Sequence, residues 1–304
     1  MPNATGPGAP FRWLADAFAL CARGWPQVLG GSGFLVAVAL APSALQLLLQ
    51  AVLPGLSSWT QMLTTILGLV LMPPALGGFL RLLQSLDHGR PASAAQVTSL
   101  YSDAPVAQRL ILCNLLFAVV TVLAMVVLVY SIGGQPLLDY VRTLSAIKPG
   151  ATPADLPVLP DGTLVLVGLL LLVALFVTTA QQLAAAQIAL GGRTILRACG
   201  DGTRATVSNA FALLLFYLPI MLLGMLVTIA LAIVGTILAT ALAAINGALA
   251  SLAVVLFTLA VLVPLYALML AFFYRAWIAL FASDADRAPT DGRPTDGAPH
   301  EIAA

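Results

Sequence analysis

The chain has very little charge. Only 8% of its 304 residues are Asp, Glu, Lys or Arg, against roughly 25% in ordinary soluble domains. Lys148 is its single lysine and Glu301 its single glutamate. Between Arg204 and Arg275 no charged residue occurs at all. A net charge of +1 leaves no electrostatic basis for nucleic acid binding. There are three cysteines, Cys21, Cys113 and Cys199, an odd number without a CxxC pair. A disulfide framework or a zinc site is therefore not expected, and no cofactor is implied. The sequence contains no GxSxG, P-loop or HExxH motif and no paired carboxylates in any loop between spans, so nothing there points to an enzyme.

What is present in quantity is apolar: 61% of residues are hydrophobic. Charge-free stretches cover 24–80, 110–138, 162–192 and 205–274. About 20 apolar residues cross a bilayer as a helix, so the first and last stretches hold two spans each and the middle ones one each. The expected fold is an all-α, polytopic transmembrane helical bundle. Its six spans lie near 28–53, 60–85, 109–131, 163–190, 209–234 and 249–274. Each must be helical, because an open strand edge leaves its backbone unsatisfied in lipid.

The flanking pieces divide the chain further. Residues 1–10 are Gly/Pro-rich and read as a disordered N-terminus without the basic region of a signal peptide. Residues 11–282 form the transmembrane domain, beginning with an interfacial helix at 11–25. In it, Phe11, Leu14, Phe18, Cys21 and Trp25 share one face, and Arg12, Asp16 and Arg23 the other. Pro136 opens a second amphipathic segment, followed by a proline-punctuated spacer from Pro149 to Pro160. Residues 283–304 are polar and Pro/Gly-rich and read as a disordered cytoplasmic tail.

Lys and Arg counts orient the bundle. Eleven fall at the N-terminal segment, the second and fourth connections and the C-terminal end; two, Arg142 and Lys148, fall on the other side. Both termini are expected in the cytoplasm. The preference for Arg over Lys, with heavy Ala, Leu and Gly use, suggests a GC-rich bacterial genome.

The first and last hairpins echo each other. Phe34 precedes Pro42 by eight residues, as Phe211 precedes Pro219; Val70-Leu71-Met72-Pro73 matches Val261-Leu262-Val263-Pro264. A basic amphipathic segment leads into each. This reads as a parallel internal repeat of two kinked hairpins related by a pseudo-two-fold axis. From Pro219 to Pro264 there are fourteen more residues than from Pro42 to Pro73. These either lengthen both helices by about two turns each or form a short interfacial helix near 236–246. Ala239, Ala243, Gly247 and Ser251 form a small-residue stripe suited to close helix contact.

Candidate functional residues are polar groups inside spans. Gln46, Gln50, Gln181 and Gln182 could line a polar path or contact lipid, or could bond between helices. Arg193 and Arg197, with Arg81, Arg90, Arg109 and Arg204, could form a rim for anionic headgroups or only set topology. Pro42, Pro73, Pro219 and Pro264 could be hinges or static kinks, since each removes a backbone donor. Asp87, His88 and Arg90 form a DHGRP string that reads as a solvated turn. Apart from Arg81 and Arg109 at the span ends, no acidic or basic residue lies in a span, which argues against proton coupling.

The strings Pro73-Pro74-Ala75-Leu76-Gly77-Gly78, Asp87-His88-Gly89-Arg90-Pro91 and Phe272-Phe273-Tyr274-Arg275-Ala276-Trp277 resemble a family of uncharacterised proteobacterial six-span inner-membrane proteins. That family is broadly similar to the membrane domain of glycerophosphodiester phosphodiesterases. The resemblance covers about residues 11–281 and implies an inner-membrane location without the phosphodiesterase domain. The expected role is a non-enzymatic scaffold or a lipid- or small-molecule-handling protein; the alternative is a passive channel or transporter subunit. Membrane lipids, a second copy or another membrane protein are the expected partners.

Overall fold

The computed structural model describes residues 5–52, 57–146, 159–243 and 245–281. They are helical almost throughout and contain no strand. In chain order the helices are α1 (Ala9–Arg23), α2 (Trp25–Val52), α3 (Ser57–Asp87), α4 (Ala104–Leu128), α5 (Gly134–Ala146), α6 (Thr163–Ala189), α7 (Ile195–Ser208), α8 (Ala210–Ala243) and α9 (Gly247–Phe281). A 3-10 helix (Ala94–Tyr101) precedes α4, and a π-turn (Val129–Gly133) joins α4 to α5. Six helices are long and apolar enough to cross a membrane: α2, α3, α4, α6, α8 and α9. The fold is that of a multi-pass membrane protein. The tail at 283–304, residues 53–56 between α2 and α3, and most of the Pro149 to Pro160 spacer lie outside the described residues.

Three helical hairpins, α2–α3, α4–α6 and α8–α9, pack around a centre where α3, α6 and α9 touch one another. Each hairpin is preceded by a short helix, which packs on the second helix of the previous hairpin in cyclic order. The 3-10 helix lies on α3, α7 on α6, and α1 on α9. A two-fold axis relating the first and last hairpins would place α7 against α3, yet its main partner is α6. The repeat of two hairpins is therefore better described as three hairpins in a pseudo-three-fold arrangement.

Small residues make the close crossings possible. A Cβ on Gly78 of α3 would lie 2.2 Å from the Val97 carbonyl oxygen, and one on Gly202 of α7 would lie 2.5 Å from that of Ala180. At the third crossing Ala17 of α1 and Ala267 and Ala271 of α9 are fully buried. Aromatic packing strengthens this crossing: Phe216 stacks on Phe272 at 4.6 Å, and Trp13 tilts against Phe272 at 6.0 Å.

Several expectations need correction. Helix α1 starts at Ala9, and Thr5 donates from its backbone N–H and its hydroxyl to Asn209 Oδ1 at 2.9 and 2.7 Å. Order thus begins inside the stretch expected to be disordered. The face of α1 that packs inward is Trp13, Ala17, Leu20 and Cys21, while Phe11 and Phe18 stay exposed. Both stripes are apolar, so periodicity alone could not separate the protein-facing one from the lipid-facing one.

The fourteen extra residues form no interfacial helix. From Pro219, α8 continues unbroken to Ala243, whereas α2 ends ten residues after Pro42. The extra length therefore falls on one arm instead of being shared. Pro42 lies 17 residues into α2 and Pro219 only nine into α8, so these two prolines are not at equivalent depths. Pro73 and Pro264 lie 16 and 17 residues into α3 and α9 and do correspond. Ala243, Gly247 and Ser251 are exposed and Ala239 is half-buried; Gly235 and Ala250 are the small residues buried near the tip of this hairpin.

Candidate functional site: a groove between α6 and α8

The three hairpins are tied together unequally. The first and second are joined by Arg81, which pairs with Asp103 at 3.1 Å and donates to the Ala189 carbonyl at 3.4 Å. Asn114 of α4 adds a second tie, donating to the Leu69 carbonyl at 3.2 Å. Pro73 lacks the N–H that would otherwise bond this carbonyl. Gln181 of α6 in turn donates to Asn114 Oδ1 at 2.5 Å, and Tyr101 donates to the Leu71 carbonyl at 2.6 Å. The kink at Pro73 is thus clamped by side chains.

The first and third hairpins are joined by Asp87 and Arg275. The guanidinium donates to both carboxylate oxygens, at 2.7 and 2.9 Å, and Tyr274 donates to the same carboxylate at 3.1 Å. Both charged side chains are about five-sixths buried. Asp87 is therefore an inter-hairpin anchor, which the DHGRP string did not reveal. The rest of that string is a helix end: His88 Nδ1 contacts the Gln84 carbonyl at 2.8 Å, and Gly89 takes φ +63° while Arg90 N donates to the Ser85 carbonyl.

Between the second and third hairpins the corresponding seam is open. Helix α3 packs on α4, and α9 on α2, but α6 and α8 scarcely touch. Their polar link is a 2.6 Å hydrogen bond between the Thr179 and Tyr217 hydroxyls. Beside it lies a groove of about 270 Å³. Its floor is Thr179, Thr206, Leu213 and Tyr217, all buried; Leu172, Phe211 and Leu214 form an exposed rim, with Phe211 73% exposed. The groove therefore opens sideways, away from the bundle centre.

Helix α7 closes one end of the groove through Thr206. It is amphipathic: Ala198, Gly202, Ala205 and Thr206 are buried, and Arg197 and Arg204 are exposed beside Leu196 and Val207. Arg193, just before it, is exposed too. None of these three arginines has an ion-pair partner among the described residues. A basic, partly apolar helix thus borders an apolar groove.

The other candidates fall elsewhere. Gln46 bonds to Gln61 across the first hairpin, and Thr64 donates to Gln46 at 3.4 Å. Gln181 is taken by Asn114. Gln46 and Gln181 thus lie in separate interhelical clusters, and neither borders the groove. Gln50 and Gln182 are half-buried and make no side-chain hydrogen bond among the described residues. Among the prolines only Pro73 has its freed carbonyl capped by a side chain; no described side chain donates to the carbonyls freed by Pro42, Pro219 or Pro264 (Val38, Leu215 and Ala260). Pro219 lies two residues beyond Tyr217, where α8 leaves the core: Phe216 and Tyr217 are buried, and most residues after Pro219 are exposed.

A second hollow of about 360 Å³ lies at the pseudo-equivalent position between α3 and α4. Its lining includes Val70, Pro74, Tyr101, Ala107 and Gln108; Pro74 and Ala107 are buried, and the rest is exposed or half-buried. The chain matches no family model, no curated protein and no solved structure.

Proposed function

We propose that the protein is a non-enzymatic, lipid-handling component of the bacterial inner membrane, with both termini in the cytoplasm. The groove between α6 and α8 takes part of one acyl chain of an anionic phospholipid. Arg193, Arg197 and Arg204 hold its headgroup at the cytoplasmic surface. The observation that carries this reading is the open α6–α8 seam, apolar inside and bordered by the basic helix α7. A volume of about 270 Å³ is close to the lower end of small-ligand sites. An apolar chain suits Leu172, Leu175 and Leu213, and an anionic headgroup suits unpaired guanidinium groups.

The alternative, a passive channel or transporter subunit, would draw on Gln46, Gln50, Gln181 and Gln182, of which Gln46 and Gln181 lie in separate interhelical clusters. Both amides are already engaged in interhelical hydrogen bonds, which gives that reading less support.

The test is photo-crosslinking in nanodiscs with phosphatidylglycerol carrying a diazirine in its acyl chain. The expected products map to 172–179 and 210–217, in preference to the α3–α4 hollow. Changing Arg193, Arg197 and Arg204 to Gln should weaken capture of the anionic lipid by about fivefold per residue, since each basic group contributes about 1 kcal/mol near an anionic surface. Phosphatidylcholine capture should change little. Uniform labelling of all lipid-facing helices would sink the proposal.

A further inference from the structure

We propose that Cys113 and Cys199 form a reversible disulfide site that joins α4 to α7. The two are 86 residues apart in sequence, yet their sulfurs lie 3.5 Å apart. Cys113 is buried on α4; Cys199, half-buried on α7, gives a small reagent an approach. The sequence offered no sign of this pair, because the spacing matches no known cysteine motif.

The geometry needs little adjustment. Helices α4 and α7 already pack together, and closing a 3.5 Å sulfur separation to the bond length of about 2.05 Å requires only side-chain rotation and a small shift. The hydrogen bond from the Cys113 thiol favours the thiolate of Cys199, holding its pKa below the usual thiol range. Cys21 is different: burial against α9 pushes its thiol up to about 11, so it stays protonated and unreactive.

The chemistry is thiol–disulfide exchange with an external disulfide oxidant. The Cys199 thiolate attacks one sulfur of the oxidant, giving a mixed disulfide and expelling one thiolate. Cys113, on losing its proton, then attacks Cys199 Sγ and displaces the second thiol. Two electrons pass from the cysteine pair to the oxidant, which leaves as two thiols. With α7 on the cytoplasmic side, as proposed above, the pair rests reduced and oxidises only transiently, as cytosolic redox-sensing thiols do. The bond itself does not depend on the lipid reading.

The test uses the full chain in nanodiscs with 2,2′-dithiodipyridine, which releases a coloured thione at each exchange step. Intact-mass analysis of the wild type should show loss of two hydrogens, no retained pyridyl adduct on Cys113 or Cys199, and one thiol, Cys21, open to maleimide after denaturation. Dithiothreitol should restore all three thiols. Cys21→Ser should behave like wild type. Cys113→Ser should instead keep a stable adduct on Cys199, with Cys199→Ser forming no crosslink. A wild type that retains the adduct at Cys199, a bond involving Cys21, or an intermolecular dimer would each overturn the proposal.

Discussion

The seam between α3 and α4 and the seam between α6 and α8 hold pseudo-equivalent places, and they are closed by different means. At the first, Asn114, Gln181, Tyr101 and the Arg81–Asp103 pair bridge the helices, and the carbonyl freed by Pro73 is capped. At the second, a hydroxyl pair stands alone and the carbonyl freed by Pro219 has no side-chain donor. Apolar helices in lipid gain little from burying apolar surface, because lipid tails are as apolar as leucine. Whether a seam closes therefore depends on close packing and polar ties. The tied seam has a hollow floored by Pro74 and Ala107; where the ties thin out, the groove reaches the buried hydroxyls of Thr179 and Tyr217.

Breaking a tie that joins two hairpins should have the largest effect. Asp87→Ala leaves the Arg275 guanidinium mostly buried without its carboxylate. Removing one partner of a fully buried pair costs about 3–5 kcal/mol; with the side chains about one-sixth exposed, about 2–3 kcal/mol is expected after solvent screening. The check is the denaturation midpoint in mild detergent. Asp87→Asn should cost less, since its amide oxygen still accepts from Arg275.

The closed seam comes next. Asn114→Leu leaves the Leu69 carbonyl and the Gln181 amide without their partner, and an unsatisfied buried polar group costs about 1–3 kcal/mol. By contrast Tyr217→Phe removes the one hydroxyl link across the open seam, at about 0.6 kcal/mol, the average for such bonds in a membrane protein. The same denaturation series measures both. Equal losses would mean that the two seams are closed alike, and the comparison would fail.

Much of this architecture was legible in the sequence because it depends on length and charge alone. Arg23, Arg81, Arg109, Arg204 and Arg275 bound the apolar stretches, and the helices fall within a few residues of the expected spans at most ends. The exceptions are α4, which starts five residues before 109, α8, which runs nine residues past its expected end at 234, and α9, which runs seven past 274. The third short helix was missed because AAQVTSLY carries no charge and forms a 3-10 helix, so it has no basic amphipathic signature. The groove was not legible either. It is a property of how α6 and α8 fail to meet, and Thr179 and Tyr217 are 38 residues apart in chains of leucine. Asn114 is polar and lies inside a span, but its role needs the position of Pro73 on another helix. Helix periodicity cannot supply that.

The smallest change in stability should come from Pro219→Ala, and it is the sharpest test of the open seam. Pro219 is exposed, and a substitution at such a site usually moves stability by no more than about 0.5 kcal/mol. The alanine supplies the N–H that the Leu215 carbonyl lacks, so α8 straightens just beyond Tyr217, at the edge of the groove. Acyl-chain crosslinking at 210–217 should then fall while the denaturation midpoint stays nearly fixed. Pro73→Ala makes the same backbone repair where Asn114 already caps the freed carbonyl. It should disturb the Asn114–Gln181 pair, lower the midpoint and leave crosslinking at 210–217 unchanged. If the two variants shift crosslinking and stability together and by similar amounts, Pro219 is a static kink, and the groove owes nothing to the freedom of α8.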